Sequence, residues 1–297
     1  MKRRLLLALQ IIGSVVLIAI AIKALDLTAA ADALLAMSPE LAFVGFALLL
    51  VGQLVSALRW RELAAHSGVP GTPGWFGRIY LRGCFYNTVL PTGLGGDAVR
   101  VMLLRKVAST RTATRSVVSD RLLGFAALAA TAALVIPFTA YIEIEALSVL
   151  ATVSLVTIGV AVIVLGVMDR IPAWIARTAG LTLAYEAIWL AGVWFLAAAV
   201  GITIAPAALP VVVLVVGVAL ALPLSIGGTG AREGAFVLAL APLGIAAETA
   251  VALGVLFGLA LAAVGLVGAV VRVGPHQPPA SSSRAESPVG LTVEVAR

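Results

Sequence analysis

The sequence predicts an all-α polytopic membrane protein with six full spans and two re-entrant helical hairpins in an inverted repeat, its N-terminus cytoplasmic. Three observations predict this. Of the 297 residues, 62% are hydrophobic and 11% charged, at mean hydropathy +1.13, whereas a soluble domain is roughly 25% charged. One phrase, L-P-x-x-x-G-G-x-x-x-R, occurs at Leu90–Arg100 and again at Leu222–Arg232, 132 residues later. Basic residues, finally, are segregated in a way that fits one orientation only.

The spans read, in order, as Leu5–Leu25, Leu41–Leu58, Val117–Ala140, Ala146–Met168, Leu181–Val200 and Glu248–Val271. The first follows Lys2, Arg3 and Arg4 as a signal peptide would. It is long enough to span and no Ala-x-Ala site closes it, so it reads as a retained helix. Between the second and third spans, Trp75–Leu90 ends in the first phrase. Between the fifth and sixth, Pro206–Leu222 ends in the second, with Ala231–Ala241 following. Sixteen or so helical residues cover about 24 Å, short of a hydrocarbon core of about 30 Å. Proline and paired glycines then break the helix, so each segment reads as helix in, break, helix out. The break residues are Pro91, Gly95 and Gly96 in the first copy, and Pro223, Gly227, Gly228 and Gly230 in the second.

With the N-terminus inside, 18 of the 20 Lys and Arg residues fall on cytoplasmic segments, as the positive-inside rule requires. Asp26, Asp32, Glu40, Glu143, Glu145 and Glu248 fall on the outer loops. The net charge of +6 is thereby explained without nucleic-acid binding. Two units of span, span, hairpin, span tile residues 1–272, repeat 1 over about 1–140 and repeat 2 over about 141–272. Three crossings per unit turn the second upside down, the plan of many transporters. Residues 273–297, rich in Pro and Ser, read as a disordered cytoplasmic tail.

Function classes drop out in turn. A single cysteine, Cys84, and two histidines, His66 and His276, exclude a disulfide and argue against a metal site. No nucleophile–base–acid set, phosphate loop or G-x-G-x-x-G is present, so neither a cofactor nor an enzymatic activity is expected.

Broken helices at matching places in two halves are instead the pointer to a transport site. Arg100 and Arg232 hold the same place in both phrases, one turn past the break. An arginine at membrane depth faces a cavity or a partner, and beside a helix N-terminus it forms an anion site suited to phosphate. The alternatives are structural pairs, Asp97 with Arg100 and Arg232 with Glu233, or snorkelling to the headgroups. Asp97 reads as an N-cap, a partner of Arg100 or a proton relay. Glu233 lies inside the second hairpin with no capping position. Asn87, with Tyr80 and Tyr86 on the same helix, either satisfies backbone groups freed at Pro91 or meets a ligand. Glu186 faces the bundle interior, with proton coupling a remoter reading. Asp120 and Arg121 read as a local ion pair, and Arg59, Trp60 and Arg61 as interfacial anchors. The glycines at 254, 258, 265 and 268 read as close-packing surface.

Tyr80-x-x-Gly83-x-Phe85-x-Asn87-x-x-Leu90-Pro91, then Gly95-Gly96-Asp97 and Arg100, Asp120-Arg121, and Leu222-Pro223-x-Ser225-x-Gly227-Gly228-x-Gly230-x-Arg232-Glu233-Gly234 together resemble the lysylphosphatidylglycerol synthase transmembrane-region family. These are the flippase-like membrane domains of the multiple peptide resistance factor, and the resemblance covers residues 1–272. It implies a multi-pass protein of the plasma (inner) membrane that moves or handles lipid headgroups, anionic or polyprenyl-linked. It also implies that Asp97, Arg100, Arg232 and Glu233 line the lipid path. Full-length synthases carry a soluble aminoacyltransferase domain after the membrane part, whereas this sequence ends 25 residues after Arg272; lysyl-lipid synthesis is not expected of it. Three readings follow: a lipid translocase; a non-transporting scaffold for a lipid-modifying enzyme or glycosyltransferase; and a small-anion carrier.

Overall fold

In the computed structural model the described residues are 27–90, 95–135, 173–221 and 228–276. The spans read at Leu5–Leu25 and Ala146–Met168, the break residues Pro91, Pro223 and Gly227, and the tail beyond 276 lie outside them. The described residues form helices joined by turns and short connections, without a strand: α1 Leu27–Leu35, α2 Pro39–His66, α3 Pro73–Val89, α4 Gly95–Leu104, α5 Thr110–Val135, α6 Ala173–Ala199, α7 Leu209–Ala221, α8 Ala231–Leu240 and α9 Ala247–Val270. Of these α2, α5, α6 and α9 are long and apolar enough to cross a membrane.

Local chemistry sets the boundaries. Ser38 caps α2, its Oγ accepting the Leu41 N–H at 3.4 Å, with Pro39 in the first turn. Thr72 does the same for α3, with Pro73 next. Both follow the preference for a hydroxyl cap with proline just inside it. Helix α3 stops at Leu90, extended at φ −81° and ψ 140°, the conformation a following proline imposes.

The long helices outrun their sequence-read spans. Helix α2 continues eight residues past Leu58 to His66, and α5 and α6 begin at Thr110 and Ala173, ahead of the expected Val117 and Leu181. Hydropathy marks where hydrocarbon ends, whereas a helix persists until a breaker arrives; for α2 that is Gly68, at φ 87°. Leu27–Leu35, read as part of an outer loop, is helical.

Helices α2 and α6 share the most extensive contact among the described helices. A Cβ on Gly45 would fall 2.7 Å from the Leu196 side chain and 3.0 Å from the Gly192 carbonyl, so small residues let the two backbones approach. One apolar core joins α6, α7, α8 and α9 around Leu196, Val212, Phe236 and Leu253. A second gathers Trp60, Phe76, Ile79 and Leu104 where α2, α3 and α4 meet.

The glycine face of α9 positions both broken segments. Gly254 and Gly258 receive Glu233 and Arg232 of α8, and Gly265 and Gly268 receive Thr88 and Leu81 of α3. Larger residues at Gly258 or Gly268 would overlap the Arg232 guanidinium or the Leu81 carbonyl. Along α9, Leu81 lies nearer the C-terminus than Thr88, so α3 runs antiparallel to it and advances toward its middle. The start of α8 meets the other half, with Gly258 and Gly265 about 10 Å apart along the axis. The two elbows thus approach the middle of one helix from its opposite ends.

Candidate functional site

The elbows leave a cavity of about 320 Å³ between them, walled by α2, α3, α5, α6, α7, α9 and the starts of α4 and α8. Tyr80, Asn87, Asp97, Arg100, Gly228 and Arg232 all line it. Glu233 is not part of its wall, and stands behind Arg232. The fold therefore brings both phrase arginines, 132 residues apart in sequence, to one chamber.

On the first elbow, Gly95 and Gly96 lie in the first turn of α4 rather than in the gap before it. The Gly96 N–H donates to Asn87 Oδ1 at 2.7 Å, so Asn87 satisfies a free donor of the new helix. Any Cβ on Gly96 would overlap the Gly83 carbonyl; the two arms touch there.

Arg100 is 5% exposed. Its Nη1 donates to Asp97 Oδ1 at 3.2 Å and its Nη2 to Asp120 Oδ2 at 2.8 Å. The guanidinium carbon lies 4.1 Å from the Trp60 ring centre and 4.4 Å from that of Tyr80, a desolvated cation–π contact on both rings. Asp120 Oδ1 also accepts from Arg59 Nε at 2.9 Å, and Asp97 Oδ2 accepts from Arg121 at 2.5 Å. Five charges thus alternate in a chain, Arg59–Asp120–Arg100–Asp97–Arg121, linking α2, α4 and α5. Three cations and two anions leave it one positive charge in excess. Ser56 extends it, bonding both Arg59 Nη2 at 3.2 Å and the Tyr80 hydroxyl at 2.8 Å.

Two sequence expectations are corrected here. Asp120 and Arg121 are not a local pair, because successive residues of a helix point about 100° apart and each finds a partner on another helix. Arg59 and Trp60 are not interfacial anchors, being 3% and 0% exposed; Arg61 alone of the three stays partly exposed, donating to the Gly71 carbonyl. Arg59, Asp120, Arg121, Gln53 and Tyr185, all in the wall, were not read as site residues. The available signal was scarcity: a chain with 14 acids that embeds one near a span must pair it.

The second elbow is built differently. Gly228 and Gly230 take φ 78° and 85°, which an L side chain resists. Glu233 does hold a capping position, against expectation: its Oε2 accepts the Gly230 N–H at 2.6 Å. Its Oε1 takes the neighbouring Arg232, with Nε at 3.1 Å and Nη2 at 2.5 Å. Arg232 is 8% exposed, laid over Gly258.

Opposite both elbows, Glu186 of α6 reaches the cavity wall. Its Oε2 accepts from Thr131 Oγ1 at 2.9 Å. Its Oε1, together with Arg59 Nη1 and Arg100 Nε, is buried without a hydrogen-bond partner among the described residues. Buried polar atoms are seldom left so, and all three belong to side chains that face the same chamber. Among the described residues no group of His, Cys, Asp and Glu could hold a metal ion. The wall offers guanidinium donors, two phenols (Tyr80 and Tyr185) and two carboxamides (Gln53 and Asn87), with an apolar remainder of Leu, Val and Phe. That arrangement suits a bound anion carrying apolar substituents.

A family profile described as "Lysylphosphatidylglycerol synthase TM region" matches the chain over residues 5–176 and 169–268. No curated protein matches it.

Proposed function

The chain belongs to the lysylphosphatidylglycerol synthase TM-region family, and on that premise we propose that it is a flippase-like lipid translocase of the plasma membrane. The anionic headgroup of a lipid enters the cavity between the repeats, meets Arg100 and Arg232, and crosses while its tails stay in the bilayer. The observation that carries this reading is the convergence of both phrase arginines on one 320 Å³ chamber, beside a charge chain with one cation in excess. The approach of the elbows from opposite ends of α9 supports re-entrant hairpins dipping from opposite leaflets, and so an inverted repeat whose halves rock to alternate access.

The test is lipid exchange in proteoliposomes containing labelled phosphatidylglycerol. Arg232→Gln removes a cation, and Arg100→Lys keeps the charge but loses the planar fork that reaches two carboxylates. A hydrogen bond to a charged group is worth about 1.5–3 kcal/mol, so each should slow exchange about tenfold to a hundredfold. Exchange at the wild-type rate in both variants overturns the assignment. If labelled phosphate crosses and labelled lipid does not, the protein is a small-anion carrier. If neither crosses and a lipid-modifying enzyme copurifies, it is a scaffold.

A further inference from the structure

We propose that Glu186 is a proton-exchange site, and that an anionic headgroup binds in the cavity together with a proton on this carboxyl. This rests on the reading of the cavity as a headgroup site.

The acids around the chamber differ in one respect. Asp97 and Asp120 each contact two arginines, and Glu233 is paired with Arg232. Glu186 has no salt bridge among the described residues. It is 6% exposed, holds one hydrogen bond from Thr131 and keeps a second, buried oxygen without a partner among the described residues, on a side chain that lines the cavity. Protonating any of the other three would break an ion pair, whereas protonating Glu186 breaks none.

Charge balance gives the direction. The chain Arg59–Asp120–Arg100–Asp97–Arg121 carries one net positive charge, and Arg232 with Glu233 carries none. An ionised Glu186 brings the charge of the described residues around the chamber to zero. A phosphate monoanion would then make it negative in a low-dielectric space, at considerable cost. With Glu186 protonated, the phosphate meets one excess cation and the chamber closes neutral.

The groups facing Glu186 are compatible with this. Helix α2 presents Arg59, whose Nη1 is also unpartnered. Helix α5 presents Thr131, with Asp120 and Arg121 further along the wall, and Tyr185 precedes Glu186 on α6 itself. Helices α7 and α9 line this side with no titratable side chain. The other titratable groups of the wall are Tyr80 and Cys84 of α3, the paired Arg100 and Asp97 of α4, and Arg232 of α8. Arg59 is thus the cation nearest in role to an ionised Glu186. Bound phosphate would compete for it, which again favours the neutral acid.

Linkage makes the inference measurable. Headgroup affinity should fall as pH rises, by about tenfold per pH unit between the free and bound midpoints of Glu186. The experiment adds short-chain phosphatidylglycerol to purified full-length protein in weakly buffered detergent solution. Lipid binding and proton uptake are read together, with infrared difference spectra of the carboxyl C=O band. Expected are proton uptake on binding and a protonated-carboxyl band in the wild type, both lost in Glu186→Gln. That variant retains an acceptor for Thr131, and its lipid affinity becomes independent of pH. Binding without proton uptake by wild type, or equal uptake by Glu186→Gln, overturns the proton inference and leaves the headgroup reading standing. Absence of lipid binding to either protein overturns both.

Discussion

The two elbows spell the same phrase and solve the same problem with different partners. In the first, Arg100 is held by carboxylates from its own helix and from α5, between two aromatic rings. In the second, Arg232 leans on the residue beside it and on the bare face of α9. Among the described residues the first arginine belongs to a charge network across three helices, the second to its own helix and one neighbour. A repeated motif thus specifies where a backbone breaks and where a cation stands, but not what neutralises it. The consequence is asymmetry: among the described residues the first elbow is cross-linked to α5 by ion pairs, whereas the ion pair of the second stays within α8.

The largest expected effect tests that asymmetry directly. Asp120→Ala leaves Arg59 and Arg100 buried without their shared anion, and breaking a buried pair costs about 3–5 kcal/mol. Glu233→Ala removes a partner for Arg232 and one N–H acceptor, at about 1.5–3 kcal/mol. The thermal midpoint in detergent should therefore fall further for Asp120→Ala. Equal shifts would erase the proposed difference between the elbows.

Next come the two seats on α9. At Gly268 an added methyl meets the Leu81 backbone, which cannot swing away; at Gly258 it meets the end of a flexible arginine. Gly268→Ala should cost about 1–3 kcal/mol of stability. Gly258→Ala should cost less, yet slow lipid exchange by displacing Arg232. If Gly258→Ala loses the more stability of the two, the second elbow is as rigid as the first. Smaller again is Gly230→Ala, about 1–2 kcal/mol for placing a side chain at φ 85°. Smallest is Asn87→Ala, about 1 kcal/mol for the Gly96 N–H it leaves unbonded. Both are readable as shifts in the same melting curve.

The elements of the fold were largely legible. Arms expected at Trp75–Leu90 and Ala231–Ala241 are found at Pro73–Val89 and Ala231–Leu240, because proline and glycine act through their own backbone restrictions wherever they stand. The glycines at 254, 258, 265 and 268 were legible as packing surface, and they are the seats of both elbows. Arg59 and Asp120 were not legible as partners. They are 61 residues apart, and no local periodicity connects two positions on different helices. Nor does hydropathy separate a membrane helix's lipid-facing side from its buried one, since both are apolar: Phe43 and Leu266 are exposed while Leu49 and Leu253 are buried.

By itself, then, the sequence determined the membrane class, the broken helices and the equivalence of Arg100 and Arg232. These follow from composition, from backbone stereochemistry and from a repeated spelling, all local or additive properties of the chain. Only the tertiary structure decided that the two arginines share one chamber, that Asp97 and Asp120 string three arginines into a chain, and that Glu186 stands outside every ion pair among the described residues. Those are pairings in space, fixed by which helix faces pack together, and buried charge is settled by whatever neighbour the packing supplies.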